Sequence, residues 1–321
     1  MTLSFSNFNK ILNKNFFCED NPKLAVGVSG GPDSIALCIL LNKWLNRKNG
    51  KLIALVVDHR IRAESFYESI KTKDFLKKNN IKSKILSVSK DKVQQGKLSQ
   101  SRSNRFEKLL NYCQKNKIFY LFLAHHFDDN LETFILRKIA GSNIEGLNGM
   151  QFLKIFKNVQ IIRPMLSYTK KDILLFNKKY KLEYVEDPSN VDIRYTRTAI
   201  REYLLKKTVT KKQIYNEFNL IKKNYNSFRK MIFQILNIII LKAELNAVVL
   251  DYQEFIKLNI DIKSNILIKT IQYISNSKDQ IRAKKIIQMI EKISIFKKIS
   301  IKSNKIMIYR ESNKIFITKF I

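Results

Sequence analysis

Cysteine is scarce in this 321-residue chain, which has only Cys18, Cys38 and Cys113. The three thiols are odd in number and far apart. They therefore argue against the disulfide framework of a small secreted domain, and no CxxC pair suggests a metal or redox site. We expect a protein of the reducing cytoplasm.

Long hydrophobic runs are missing, and the four prolines and eight glycines are too few to predict a flexible linker. The most apolar stretch, 231–241, is interrupted by Gln234 and Asn237 and is shorter than a membrane span, so we interpret it as a buried helix and expect no membrane association. The N-terminus lacks the apolar core of a signal peptide. The basic residues before Phe16 leave an organelle transit peptide as an alternative.

Acidic residues are also few, because 27 Asp and Glu stand against 60 Lys and Arg, for a formal net charge of +33. A charge of this size gives a positive field that attracts polyanions, which favours nucleic acid as a partner. The alternative is that a lysine-rich composition mirrors an AT-rich genome. Charge alone therefore favours RNA binding without establishing it.

The first half of the chain alternates between apolar strand patterns and helical patterns. The length predicts two domains, and the alternation predicts an α/β fold with a doubly wound, mostly parallel, Rossmann-like sheet. The predicted strands are 23–28, 52–57, 84–88 and 119–124, and helices are predicted after the first strand and over 63–80, 100–117 and 128–139.

The second half of the chain predicts a smaller α+β domain. A basic link around 206–212 precedes a long helical stretch to about 241, so we place the domain boundary near residue 208, giving domains 1–208 and 209–321. A further helix is predicted over 169–179, within the first domain. The second domain is predicted to contain helices over 261–274 and 278–293 and strands over 299–302, 305–309 and 314–318, the last two as a hairpin.

Polar clusters follow three of the predicted parallel strands, at 29–34, 58–60 and 125–129. Because the carboxyl ends of parallel strands meet at one edge of a sheet, we expect these clusters to converge there, where such sheets bind ligands. Strand ends also need polar turns for purely structural reasons. The chemical complementarity of the clusters favours a site.

The segment 29–34, Ser-Gly-Gly-Pro-Asp-Ser, has the composition of a phosphate-binding turn. Two glycines let the backbone curl so that its N–H groups point at phosphate oxygens, and the following helix adds its positive end. Ser29 and Ser34 supply hydroxyl groups, while Asp33 can cap the helix or contact Mg²⁺. The alternative is an ordinary turn and N-cap. The Gly-Lys-Ser/Thr ending of a Walker A loop is absent.

Four polar side chains crowd the predicted start of the helix at 128–139, namely His125, Asp128, Asp129 and Glu132. Carboxylates beside a nucleotide phosphate repel it unless a cation intervenes. The group therefore favours bound Mg²⁺ or a substrate amine, with His125 stabilising charge on a phosphate oxygen. Acidic N-capping of the helix would explain Asp128 or Asp129 alone.

In their order, these segments resemble the tRNA(Ile)-lysidine synthase family of the PP-loop, N-type ATP pyrophosphatase superfamily. The resemblance covers about 23–201 and departs from the family pattern at Ser99, Asn143 and Thr198. The motifs that carry it are Ser29 to Ser34, Val57-Asp58-His59-x-x-Arg62, Ala124 to Thr133, Gly141-Ser142, Gly146-Leu147-x-Gly149-Met150, Arg163-Pro164-Met165-Leu166, and Glu186 to Asn190 before Tyr195, Arg197 and Arg201.

The resemblance implies roles for individual residues. It implies ATP binding by Ser29, Gly30, Gly31, Pro32, Asp33, Ser34, His59 and Arg102; catalysis by Asp33, His125, Asp128 and Asp129; substrate or RNA contacts by Glu132, Arg163, Arg197 and Arg201; and Mg²⁺ at Asp33 and Asp128. Arg105, one turn after Arg102, shares its motif, and a solvated helix face is the alternative for both.

The family's reaction follows as an expectation. ATP adenylates the C2 carbonyl oxygen of the wobble cytidine in the CAU anticodon of tRNA(Ile), and free L-lysine then attacks C2 and displaces AMP to give lysidine. Residues 1–208 would catalyse and 209–321 would bind tRNA, with a homodimer left open. Two alternatives are a tRNA thiolase of the same superfamily, which the scattered cysteines disfavour, and a non-catalytic basic RNA-binding protein, which the complete motifs disfavour.

Overall fold

A computed structural model describes residues 2–58, 64–87, 98–142, 144–185, 199–200, 202–203, 208–275, 283–296, 298–303 and 306–319. The chain divides into two compact units, Met1–Lys222 and Lys223–Ile321. The domain boundary near residue 208 stays a prediction.

The first unit contains a six-stranded sheet with helices on both faces. Its strands are β1 (Lys23–Val28), β2 (Lys51–Asp58), β3 (Lys82–Ser87), β4 (Tyr120–Phe122), β5 (Leu153–Phe156) and β6 (Val159–Ile162). The strand order is β3-β2-β1-β4-β6-β5, and every neighbouring pair is parallel except β5 and β6. The predicted doubly wound, mostly parallel sheet is confirmed.

Helices of the first unit follow the strands in the predicted alternation. They are α1 (Phe5–Asn15), α2 (Pro32–Leu45), α3 (Glu64–Lys78), α4 (Leu98–Lys115), α5 (Phe127–Ile139), α6 (Ile144–Leu147) and α7 (Lys170–Lys179). The next helix, α8 (Thr208–Ile239), contains the residue at which the two units divide. Helices α1 and α6 and the short pair β5 and β6 were not predicted.

Alternation along the central strands explains why both faces of this sheet are covered. Leu24 and Val26 of β1 pack into one apolar core, together with α1, α2 and α7, whereas Ala25 between them packs into a second core with α4. All three side chains are fully buried. A parallel strand covered on both faces must be apolar throughout, which is the pattern that the sequence has over 24–28.

The second unit contains a five-stranded antiparallel sheet with helices. Its strands are β7 (Ile240–Glu244), β8 (Ala247–Asp251), β9 (Lys298–Ser303), β10 (Ile306–Glu311) and β11 (Lys314–Lys319), in the order β7-β8-β11-β10-β9. Its further helices are α9 (Tyr252–Lys257), α10 (Ile260–Ser275) and α11 (Ala283–Ile295). The predicted hairpin of the last two strands is confirmed, with Ile308 opposite Ile317.

The interpretation of the most apolar stretch as a buried helix is wrong in part. Helix α8 buries Ile232, Leu236 and Ile239, but Ile238 is 68% exposed. Three buried positions at helical spacing make one apolar face, whereas full burial would need apolar residues all round. Among the described residues, no helix combines the length and the apolar character needed to cross a bilayer.

Candidate active site at the carboxyl edge of the parallel sheet

The loop after β1 is closed by the side chain of Ser34 and by a left-handed glycine. The Ser34 hydroxyl donates to the carbonyl of Gly31 at 2.9 Å and accepts from the backbone N–H of Ser29 at 3.2 Å. Gly30 has a φ of 84°, which a side chain would make unfavourable. Helix α2 begins with Pro32 directly after this turn, so its positive end faces the loop.

Neighbouring elements hold the loop in place. The backbone N–H of Val185 donates to the carbonyl of Gly30 at 3.0 Å. The Asn177 amide, which is buried in α7, donates to the carbonyl of Pro32 at 3.0 Å. A Cβ atom on Gly30 would lie 2.5 Å from the hydroxyl oxygen of Thr72. The loop therefore depends on contacts from two other segments of the chain.

The acidic residues at the start of α5 each accept a backbone hydrogen bond. Asp129 Oδ2 accepts from the N–H of His126 at 3.0 Å, so Asp129 caps α5 as the structural alternative expected. Asp128 Oδ2 instead accepts from the backbone N–H of Lys170 at 2.7 Å, and Lys170 is the first residue of α7. N-capping of α5 therefore explains Asp129 but not Asp128.

Two lysines relieve the crowding of negative charge, and the sequence interpretation assigned neither of them to the site. Lys170 Nζ lies 2.6 and 2.7 Å from the two carboxylate oxygens of Asp33. Lys211 Nζ lies 2.8 Å from Asp128 Oδ1. Burial raises the pKa of Asp128, but the hydrogen bonds from Lys211 and Lys170 outweigh it and hold that pKa below its ordinary value.

This arrangement does not fit a magnesium site made by Asp33 and Asp128 together. All four of their carboxylate oxygens already accept hydrogen bonds from Lys170 or Lys211, so a metal ion would have to share those oxygens or displace an ammonium group. Within the part of the chain that is described, no three His, Cys, Asp or Glu side chains converge as metal ligands. The Mg²⁺ assignment stays a prediction.

His126 lies at the centre of the acidic group and was not singled out from the sequence. Its ring is buried, with Nε2 3.5 Å from Asp129 Oδ2 and 3.9 Å from Asp33 Oδ2, and Nδ1 3.7 Å from Asp128 Oδ2. These distances are longer than good hydrogen bonds. They show that the three carboxylates surround one imidazole, and so belong to one local site.

A cavity of about 360 Å³ opens beside this site at the carboxyl edge of the sheet, within the size range of small-molecule pockets, roughly 300 to 1,000 Å³. Both polar and apolar side chains line it. The polar residues lining it are Ser29, Asp33, Ser34, Arg105, His125, Asp129 and Arg163, and the apolar ones include Leu55, Val57, Phe106, Leu109 and Leu123. Six of the predicted site residues therefore meet in one cavity.

His125 is held in its neutral form. Its Nδ1 atom is buried and finds no hydrogen-bond partner among the described residues. Burial lowers the pKa of His125 to about 4, and the positive charges of Arg163 and Arg105 act in the same direction against the opposing effect of Asp129. At neutral pH, His125 therefore offers a single N–H donor and no positive charge.

Two arginines supply the positive charge of the cavity. Arg105 is half-buried on α4 and lines the cavity, so a solvated helix face is the wrong interpretation for it. Arg163 is buried after β6 and donates to the carbonyl of Gln151 at 3.2 Å. Burial lowers the pKa of both guanidinium groups, which nevertheless stay protonated at physiological pH.

The other predicted site residues either lie away from the cavity or are not among the residues that the structure describes. Glu132 is buried in α5 and is not among the residues lining the cavity. The described residues do not include His59, Arg62, Tyr195, Arg197, Arg201 or the loop 186–190, and for Arg102 they include only the backbone within α4. The roles assigned to these residues stay predictions.

Comparison with known proteins assigns the part of the chain that contains this cavity to a family. A family described as a PP-loop domain matches residues 2–208. Curated relatives include a tRNA(Ile)-lysidine synthase of Orientia tsutsugamushi, 35% identical over 58% of this chain and 42% of its own length, and one of Wolbachia pipientis wMel, 36% identical over 61% and 46% respectively. The chain thus matches less than half the length of these relatives.

A solved structure supports the fold. The U34-tRNA thiolase NcsA from Methanococcus maripaludis superposes with a TM-score of 0.57 and 22% identity, over 70% of this chain and 78% of that chain. At this identity, the likeness extends to the fold and not to the chemistry of the site.

Gly30→Ala should lower the free energy of unfolding of the first unit by about 1–3 kcal/mol, because it combines a positive φ with a close approach to Thr72. Gly31→Ala is the matched control, since its φ is −71° and its new Cβ would meet only Ser29 at 3.6 Å. It should cost less than about 1 kcal/mol. Urea unfolding followed by the fluorescence of buried Trp44 measures both; equal losses would contradict the account.

His125→Gln should weaken the acid sensitivity of stability. In the wild type, the unfolded chain binds a proton at His125 below the ordinary pKa of 6.5, whereas the folded chain binds it only near pH 4. The free energy of unfolding of the wild type should therefore fall as the pH is lowered from 6.5 to about 4. It should fall less steeply in the variant. Urea unfolding at half-unit pH steps provides the comparison, and parallel curves for the two proteins would show that His125 is not held neutral.

Proposed function

The chain belongs to the PP-loop domain family, and on that premise we propose that it uses ATP to join free L-lysine to C2 of the wobble cytidine in the CAU anticodon of tRNA(Ile). The product is lysidine, and AMP and pyrophosphate are released. The proposal is supported by relatives named tRNA(Ile)-lysidine synthase, which match 190 and 199 residues of this chain.

One observation carries the proposal: side chains from separate segments of the chain line a single cavity beside the PP-loop. Ser29 and Asp33 come from the loop and α2, Arg105 from α4, His125 and Asp129 from the start of α5, and Arg163 from the end of β6. A turn formed for structural reasons alone would not require charged groups from three other segments to face it. The convergence favours a phosphate ester ligand with a reacting group beside it.

The polarity of the cavity sets the orientation of ATP in this proposal. The β- and γ-phosphates lie on the backbone N–H groups after β1 and on the positive end of α2, with the hydroxyl groups of Ser29 and Ser34 beside them. The adenine then packs on the apolar wall formed by Leu55, Val57 and Leu109. The α-phosphate comes between these ends, where Arg105 and Arg163 can reach it.

In the first chemical step, the C2 carbonyl oxygen of the cytidine attacks the α-phosphorus of ATP. A P–O bond to this oxygen forms while the bond to the departing pyrophosphate breaks, and pyrophosphate leaves with the electron pair. The guanidinium groups of Arg105 and Arg163 stabilise the negative charge on the phosphate oxygens, and neutral His125 can donate one hydrogen bond. The role of His125 is therefore that of a dipole and not of a cation.

In the second step, the lysine amine attacks C2 and AMP leaves with the oxygen that it activated. The amine must lose a proton to form the new C–N bond, and we assign Asp129 to hold the amine and accept that proton. Asp129 lines the cavity, and its carboxylate also caps α5, which fixes its direction. Asp33 and Asp128 keep supporting roles as orienting groups in this scheme.

Recognition of RNA involves the predicted arginines and the basic second half of the chain. The cytidine leaves the anticodon stack to reach the cavity, and Arg197, Arg201 and lysines beyond residue 208 contact tRNA phosphates. The formal charge of +33 supports a polyanionic partner. Use of ATP is in keeping with the PP-loop family, whereas Mg²⁺, a homodimer and a cytoplasmic location stay predictions.

The thiolase alternative is disfavoured by the surroundings of the three cysteines. A sulfur carrier must be a thiolate that reaches the substrate. Cys38 and Cys113 are fully buried, and none of the three lines the cavity as described. Burial raises the pKa of the Cys113 thiol to about 12 and raises the pKa values of Cys38 and Cys18 as well. None of these thiols is set up as a sulfur carrier.

Incubation with ATP, Mg²⁺, labelled lysine and tRNA(Ile) carrying a CAU anticodon should place label in the RNA and release AMP. Asp129→Asn should lower kcat by about 100-fold or more, because general base catalysis typically contributes that much. Asp74→Asn, which changes an exposed carboxylate on α3, is the control and should keep the wild-type rate. ATP-dependent thiolation without lysine, or no turnover beside an active control enzyme, would refute the proposed function.

A further inference from the structure

We propose that Lys170 supplies the positive charge for the β- and γ-phosphates of ATP, reaching the PP-loop from helix α7. This inference rests on the proposed function in taking ATP as the ligand. It adds a phosphate-binding residue that lies outside the loop and that no motif in the sequence identified.

The loop itself lacks a positive charge. Residues 29–34 are Ser, Gly, Gly, Pro, Asp and Ser, so the lysine that a Walker A loop carries next to its phosphates is missing. Asp33 even adds a negative charge at the start of α2, on the lining of the cavity. A polyphosphate bound there without a neighbouring cation would be repelled by this carboxylate. Arg105 and Arg163 are assigned to the α-phosphate, so the β- and γ-phosphates beside Asp33 require a further positive group.

Lys170 meets this requirement by its position. Its Nζ lies 2.6 Å from Asp33 Oδ1 and 2.7 Å from Asp33 Oδ2, although the two residues are 137 positions apart in the chain. Asp33 itself lines the cavity, so the ammonium group is one hydrogen bond away from a residue of the cavity lining. The side chain of Lys170 is 39% exposed and is therefore open to an incoming ligand.

The backbone that carries Lys170 is fixed at both ends of α7. At the first residue, the N–H of Lys170 donates to Asp128 Oδ2 at 2.7 Å. Near the last turn, Asn177 donates to the carbonyl of Pro32 at 3.0 Å, and Ile173 and Phe176 are buried in the core. Helix α7 is thus anchored to α5 and to the PP-loop itself. Only the long, flexible side chain of Lys170 is left to move.

Lys211 leaves Lys170 available for this task. Its Nζ lies 2.8 Å from Asp128 Oδ1, so Asp128 has a counter-ion of its own. When ATP binds, the Lys170 ammonium can turn from Asp33 to the β- and γ-phosphate oxygens, while the backbone N–H of Lys170 and Nζ of Lys211 keep their hydrogen bonds to Asp128. Asp33 stays in the first turn of α2, where the positive end of the helix still favours a carboxylate.

The test compares ligands that differ in the β- and γ-phosphates. Binding of AMP and of a non-cleavable ATP analogue with a methylene bridge between the α- and β-phosphates would be measured by calorimetry or by displacement. Lys170→Met keeps the length of the side chain but removes the charge. It should weaken binding of the analogue by about 10- to 100-fold, the range of a lost charge-assisted contact, and change AMP binding less than about twofold.

Two further variants complete the set. Lys170→Arg keeps the charge and should recover most of the affinity for the analogue, whereas Lys171→Met, at an exposed neighbour on the same helix, should bind both ligands like the wild type. Parallel urea unfolding of Lys170→Met checks that the fold is intact.

The outcomes separate the two claims. Equal weakening of AMP and the analogue in Lys170→Met would overturn the inference, because a merely structural role for the lysine would affect both ligands. Unchanged binding of both would overturn it as well. Failure of the wild type to bind the analogue at all would instead contradict the proposed function, and the inference with it.

Discussion

The ion pair between Asp33 and Lys170 is the interaction on which the arrangement of the site depends. Partly buried carboxylates are costly unless a counter-ion and hydrogen bonds accompany them. At the carboxyl edge of this sheet, Asp33, Asp128 and Asp129 surround one buried imidazole, His126. Because ammonium groups from two later segments of the chain neutralise two of these carboxylates, the acidic cluster can exist beside the loop that we propose to bind phosphate.

Stability and function share residues in this site. Asp129 caps α5 and is also our choice to hold the lysine substrate, while Asp128 joins the start of α7 to Lys211. These hydrogen bonds fix the direction of the carboxylates, which a catalytic group requires. They also occupy oxygens that a metal ion would otherwise use. A substitution at these positions is therefore expected to change folding and activity together, and isosteric changes such as Asp to Asn are the informative ones.

The sequence predicted the features that depend on local periodicity. Strand β1, the loop after it and the C-terminal hairpin followed from apolar runs and from glycine. The antiparallel pair β5 and β6 was missed because its turn is Lys157-Asn158, with both residues at positive φ, where glycine would ordinarily mark the turn. Each strand of this pair also has only four residues, too few to give a clear alternation.

The charged residues of the site show a different limit of sequence reasoning. Arg105 could have been assigned to the buried side of α4, since it lies one helical turn before the apolar Leu109. Lys170 could not have been assigned to the site in this way, because no residue near position 170 in the sequence indicates a contact with Asp33. Only the packing of α7 against α2 brings them together, and that is a tertiary fact.

The central claim is that this cavity transfers the adenylyl group of ATP to RNA. It is tested most directly by incubating the protein with tRNA(Ile) and ATP labelled at either the α- or the γ-phosphate, with lysine left out. The account predicts that α-label becomes attached to the RNA and is released as AMP when lysine is added, while γ-label leaves as pyrophosphate. Transfer of γ-label to the RNA would contradict it. So would RNA that carries no α-label before lysine is added and is nevertheless converted to lysidine afterwards.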